Sequence, residues 1–132
     1  MKLTVDTNVL VRAVVGDDVA QARSAAKLLG SADLIAVTLP CLCEFVWVLL
    51  RVYKFTSKDV AAAIRALIAV TTVQVNRPAV DAGLAMLEAG GDFADGVIAF
   101  EGHWLGGERF VSFDKKAVAL LDSQGRNAEL LR

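Results

Sequence analysis

A single histidine, two cysteines and a net charge of −1 leave few kinds of chemistry open to this chain. His103 stands alone, which excludes a histidine-rich zinc site and a Cys–His nucleophile pair. Cys41 and Cys43 are two residues apart; on a helix they point about 200° from each other. They therefore do not chelate one metal together and read as core packing. The balanced charge provides no global basic field of the kind that announces nucleic acid, so a polyanion would need a local patch or bound cations. The most apolar stretch, residues 34–50, contains Pro40 and Glu44 and falls short of a spanning helix. Asp6 and Arg12 interrupt the apolar start, so a signal peptide is not expected; the expected location is cytoplasmic, with no membrane partner. Repeats, linkers and low-complexity segments are missing too, and residues 1–132 are expected to form one domain around one core. The 55% hydrophobic content is high for a small monomer, which points to a subunit or partner interface.

What the chain does have is an alternation of strand and helix. Residues 3–5, 34–37, 70–75 and 109–112 read as short strands, the third from its Val and Thr content. Helices are expected at 17–29, closed by Gly30, and at 41–53, which is apolar on almost every face after Pro40. Thr56 to Asp59 resembles a capping box opening a helix to about Ala69. Asn76 and Pro78 open another that ends near Gly90 and Gly91, Asp92 starts one running to Leu105, and Asp114 one running to Leu121. Residues after about 122 are left as a final strand or a tail. This order predicts an α/β fold, a central mostly parallel sheet with helices on both faces.

Four acids punctuate that pattern: Asp6, Glu44, Asp95 and Asp114. Asp6 and Asp114 follow strands, and Glu44 and Asp95 lie in the first turns of helices. In parallel α/β sheets ligands bind outside the carboxyl ends of the strands, so all four are expected to meet at that edge. Each also has a purely structural reading. Asp6 suits an Asx turn, Asp114 an N-cap, and Asp92 with Asp95 the two ends of a capping box. Glu44 is the only charge between Asp33 and Arg51, so it is expected to be buried and to need a cation or a metal as partner. Carboxylates gathered without His or Cys suit Mg²⁺ or Mn²⁺, and such a site can polarise a phosphoryl oxygen and activate water.

Asp6-Thr7-Asn8, Glu44 within its apolar helix, the run from Gly91 through Asp92 and Asp95 to Ala99, and Ser112 with Asp114 together resemble a PIN domain. More narrowly they resemble the VapC-type ribonuclease toxins. The resemblance spans residues 3 to about 121 and implies a single PIN-like domain acting on RNA through Mg²⁺ or Mn²⁺. It implies Asp6 and Asp95 as principal metal ligands, Asp114 assisting, and Glu44 holding or orienting water. Asp92 is expected to be the cap, and Thr7, Asn8 and Ser112 to support the acids. The partners it implies are an RNA substrate, a cognate antitoxin and a second copy of the chain. Arg51, Lys54 and Lys58 on one side, and Arg109, Lys115 and Lys116 flanking Asp114, are candidate RNA contacts. Trp47 and Trp104 sit in apolar helices and are expected in the core or a dimer contact, with base stacking the alternative.

The resulting expectation is a metal-dependent endoribonuclease. Its first rival is a non-catalytic PIN-like module that binds RNA or a partner. A complete acidic set argues against that. A phosphohydrolase of small esters is the second rival, disfavoured because position 8 is Asn where an Asp-x-Asp nucleophile pair would need Asp.

Overall fold

The computed structural model describes all 132 residues and divides into two compact units, Met1–Asn76 and Arg77–Arg132. In the first, β1 (Lys2–Thr4), β2 (Leu34–Ala36) and β3 (Val73–Gln74) form a parallel ladder with β2 in the middle. Leu3 sits opposite Ile35, and Ile35 opposite Val73. Helices α1 (Thr7–Val15), α2 (Val19–Ser31), α3 (Leu39–Arg51) and α4 (Ser57–Ala69) connect them, and both α2 and α3 pack on α1. Leu10, Val11, Ile35, Leu42, Phe45, Leu49, Val60 and Ile64 are buried here. The α/β class read from the sequence is observed, and every strand pairing is parallel.

Helix α1 is the element the sequence concealed. Val9, Val11, Val14, Val15, Thr7 and Asn8 are indifferent helix formers, and the segment reads equally well as an extended apolar run. Its ends decide the matter. Asp6 accepts a hydrogen bond from the Val9 amide at 3.1 Å, and Gly16, at φ 70°, donates its N–H to the Arg12 carbonyl. Beyond that turn, Asp17 accepts from the Arg12 guanidinium and from the Tyr53 hydroxyl, each at 2.9 Å. Those bonds, the Tyr53 one foremost, hold the Asp17 carboxyl below the usual aspartate range. They tie the end of α1 to the segment after α3.

β3 is shorter than the residues 70–75 expected. Val70 donates to Leu67 to close α4 and accepts from Val73 in a turn, so its backbone groups are spent before the ladder begins. At Thr56 the N-cap half of the expected capping box is observed: the hydroxyl accepts from the Asp59 amide at 3.1 Å and opens α4.

The second unit contains α5 (Arg77–Glu88), α6 (Phe93–Trp104), β4 (Phe110–Ser112), α7 (Lys115–Ser123) and β5 (Ala128–Leu130). β4 and β5 are parallel, so the residues after 122 include a strand and not only a tail. Met86, Ala117 and Leu121 make a small core with Phe110, Leu120 and Ala128 against it. The tightest fit is between α5 and α6. A Cβ at Gly96 would lie 2.3 Å from the Ala82 carbonyl oxygen, and one at Gly83 would lie 2.6 Å from the Phe93 ring. No helix is long and apolar enough to cross a membrane.

Candidate active site

The sequence-predicted acids fall into two groups, one in each unit. In Met1–Asn76, Asp6 follows β1 and caps α1, while Glu44 lies on α3, which packs against α1. Cys41, one turn before Glu44, reports on both. Burial pushes its thiol up, a hydrogen bond with Thr7 pulls it back, and the Asp6 and Glu44 carboxylates add to the upward push. Thr7 is the one buried polar residue of the chain, at 8% exposure, and its side chain bonds with Cys41. Asn8 is exposed beside it. A thiol that is buried and raised is a poor nucleophile. A thiol reagent at pH 8 is therefore expected to modify the more accessible Cys43 readily and Cys41 only on unfolding; equal rates would contradict this placement.

In Arg77–Arg132, Asp92 is the N-cap of α6, accepting from the Ala94 amide at 3.0 Å. Asp114 caps α7, accepting from Lys116 and Ala117 at 3.0 and 3.1 Å, and its own amide donates to Ser112 Oγ at 2.9 Å. Asp95 stands in the first turn of α6 with no capping bond, and it is partly buried. Burial pushes its carboxyl up, and repulsion from Asp92 and Asp114 pushes it further. The structure thus brings Asp92, Asp95 and Asp114 into one electrostatic neighbourhood. The caps at Asp6, Asp92 and Asp114 use Oδ1 alone, so capping and ligation are compatible roles for a carboxylate with two oxygens.

The donor set is carboxylate oxygen throughout, which fits a hard divalent cation better than zinc. Asp95, desolvated and repelled by two neighbours, is where such a cation would relieve the most strain. No group of three or more His, Cys, Asp or Glu side chains is placed to hold a metal ion.

Several expectations need correction. Glu44 is exposed, not buried, because α3 turns Cys41, Leu42, Phe45, Val46 and Leu49 inward and leaves Glu44 on the opposite face. Its carboxylate is therefore solvated and needs no buried partner, so any role it has depends on its solvent-facing position. Trp47 and Trp104 are 57% and 80% exposed and are not core residues. Arg109 precedes β4 and pairs with Glu129, so it sits at the other end of that strand from Asp114. Lys115 and Lys116 do follow Asp114 and are exposed, as are Arg51, Lys54 and Lys58 around the α3–α4 junction. A cleft of about 600 Å³ in the second unit, lined by Ile98, His103, Glu108, Arg109, Val111 and Arg126 among others, contains none of Asp92, Asp95 and Asp114.

Comparison with known families places these features. The PIN domain model matches residues 3–120, across both units, and the chain belongs to the PIN domain family. No curated protein matches it. PIN domains are generally nucleases, in general bind RNA and typically use divalent metal ions, which agrees with the class of chemistry the acids suggest.

Proposed function

We propose that this chain is a Mg²⁺- or Mn²⁺-dependent endoribonuclease of the VapC type, a toxin restrained by a cognate antitoxin and active as a homodimer. Residues 1–132 would form one PIN-like domain, a reading supported by a family match that runs through both units. The observation that carries the nuclease reading is the crowding of Asp95 by Asp92 and Asp114. Like charges held together in a partly buried place favour a bound cation.

Asp6 and Asp95 are the principal ligands in this proposal, with Asp114 assisting. A bound divalent cation supplies positive charge to a phosphoryl oxygen and makes water a better nucleophile at neutral pH. The chain's own residues do the positioning. Glu44, exposed and with its helix anchored on the far side, accepts a hydrogen bond from the attacking water and aligns it with phosphorus. Thr7 and Ser112 fix the turns on which Asp6 and Asp114 stand. Lys115 and Lys116, in the first turn of α7, offer charge to a neighbouring phosphate. Attack of water breaks the P–O3′ bond and leaves a 5′-phosphate and a 3′-hydroxyl.

Metal binding tests the site without relying on turnover. Mn²⁺ at a hundred times its Kd should stabilise the wild type by about 2.7 kcal/mol. The same addition should leave Asp95→Asn almost unmoved. An equal shift in both proteins, or none in the wild type, would remove Asp95 from any metal site.

A further inference from the structure

The cleft in Arg77–Arg132 holds none of Asp92, Asp95 and Asp114, yet the backbone leads from it directly to one of them. Its wall includes Val111 of β4, and Asp114 follows three residues later, so at most about 11 Å of chain separates the two. Between them Phe113 leaves 73% of its surface in water, and Lys115 and Lys116 lie just beyond Asp114. A nucleic acid strand covers such a distance in about three nucleotides at a stacked rise of roughly 3.4 Å. The cleft itself has the size of a small-ligand site, about 600 Å³ where such sites run from roughly 300 to 1,000 Å³. Ile98 and Val111, both exposed, give it an apolar wall. Arg109 is neutralised by Glu129, but Arg126 forms no ion pair, and its guanidinium is held 6.0 Å from the centroid of the Phe100 ring. A guanidinium already held in place loses less freedom when it meets a phosphate or stacks on a base. Glu108 is the one acid in the lining. A carboxylate repels phosphate but accepts hydrogen bonds from base amino groups, so it suits the edge of a base.

We propose that this cleft seats one nucleotide of the substrate strand a few nucleotides from the cut, with Arg126 on its phosphate and Phe113 stacking on a base along the way. The proposal rests on the endoribonuclease reading and adds to it a subsite outside the metal centre. Two observations favour RNA over a second copy of the chain. The site is concave and sized for a small group, as ligand sites are. It is also continuous along the backbone with Asp114, where the strand must lie to be cut.

Gly102 lines the cleft, and a Cβ there meets nothing within 4 Å, so Gly102→Leu fills the space without striking a packed neighbour. In EDTA, where nothing is cut, a single-stranded RNA octamer should bind the wild type at least about tenfold more tightly than a dinucleotide. Gly102→Leu and Arg126→Gln should each remove most of that advantage. Arg126→Gln should also lower the slope of log affinity against log salt by about 0.7. Phe113→Ala should weaken the octamer, and Phe113→Tyr, which still stacks, should restore it. In Mn²⁺ the preference for cutting the octamer over the dinucleotide should fall about tenfold in both cleft variants, with the loss in KM. Octamer affinity and KM unchanged in both cleft variants, while the wild type cuts RNA, would overturn the proposal and leave the nuclease reading intact. A free mononucleotide that binds the cleft as tightly as the octamer would also overturn it, since the site would then not belong to the strand. Conversion of a dimer to a monomer by Gly102→Leu, seen by sedimentation, would give the cleft to a second copy and overturn it likewise. Octamer binding that depends on the cleft in a wild type that never cuts would keep the RNA site and bring down the nuclease reading. A wild type that neither binds the octamer nor cuts RNA would bring down both.

Discussion

Replacing Asp95 by Asn is expected to lower RNA cleavage by roughly 10²–10³-fold and, in metal-free buffer, to raise the melting temperature. The two effects share one cause. Burial and the charges of Asp92 and Asp114 disfavour the ionised Asp95 carboxylate, so its folded-state pKa stands above its unfolded value. Above that raised pKa the native state carries the full penalty. As pH falls toward the ordinary aspartate value of about 4 the side chain protonates and the penalty fades. Asn removes the charge at every pH. The gain in Tm from Asp95→Asn should therefore be greatest near neutrality and shrink as the solution is acidified. Saturating Mn²⁺ should reverse the order of stabilities, since the wild type alone gains the cation. Thermal melts at pH 7 and at about pH 4, with and without metal, resolve all three statements. A variant no more stable than wild type in EDTA at neutral pH would show that Asp95 is not held under electrostatic strain.

The second large effect is mechanical. Gly96 follows Asp95, and a Cβ there would come within 2.3 Å of the Ala82 carbonyl oxygen and 2.9 Å of the Gly83 Cα. Backbone atoms of a packed helix cannot step aside as a side-chain tip can, so α6 must move off α5. Gly96→Ala should cost on the order of 3 kcal/mol, lowering Tm by roughly 10 °C. Because α6 carries Asp95 and its capping Asp92, the displacement should reduce cleavage further than the lost stability explains. Gly102 supplies the control within the same helix. Nothing lies within 4 Å of a Cβ there, so Gly102→Ala should be neutral or stabilising through helix propensity alone. Similar losses in the two variants would mean that the close approach of α5 and α6 does not govern the fit.

Much of the scaffold was legible because it is written locally. Thr56, Asp92 and Asp114 announce helix starts by side-chain chemistry that acts over three residues, and each cap is found where the sequence placed it. Glycine and proline punctuation gave the limits of α5 in the same way. The expected division of labour between Asp92 and Asp95 was legible to the extent that Asp92 is the cap; the metal role of Asp95 rests on the proposal. What escaped depends on packing between distant segments. α1 is built from residues with little helical preference and is held by contacts with α2 and α3. The helix α3 is apolar on almost every side, so periodicity could not say which face turns outward. The side packed against α1 and α4 decides it, leaving Glu44 and Trp47 in solvent where burial had been expected. An isolated charge in an apolar run therefore marked an exposed stripe.

Metal-dependent hydrolysis of RNA through these acids can be measured with a mixed total-RNA preparation and the purified protein freed of any partner. Wild type and Asp6→Asn are compared in Mn²⁺ and in EDTA, with the termini of the fragments identified. Asp6 is the choice here because it belongs to the other unit from Asp95 and so probes the acids independently of the strain argument. The expected result is cutting by the wild type in Mn²⁺ alone, with 5′-phosphate ends. Cutting that survives EDTA, or that Asp6→Asn performs at the wild-type rate, would contradict the proposed chemistry.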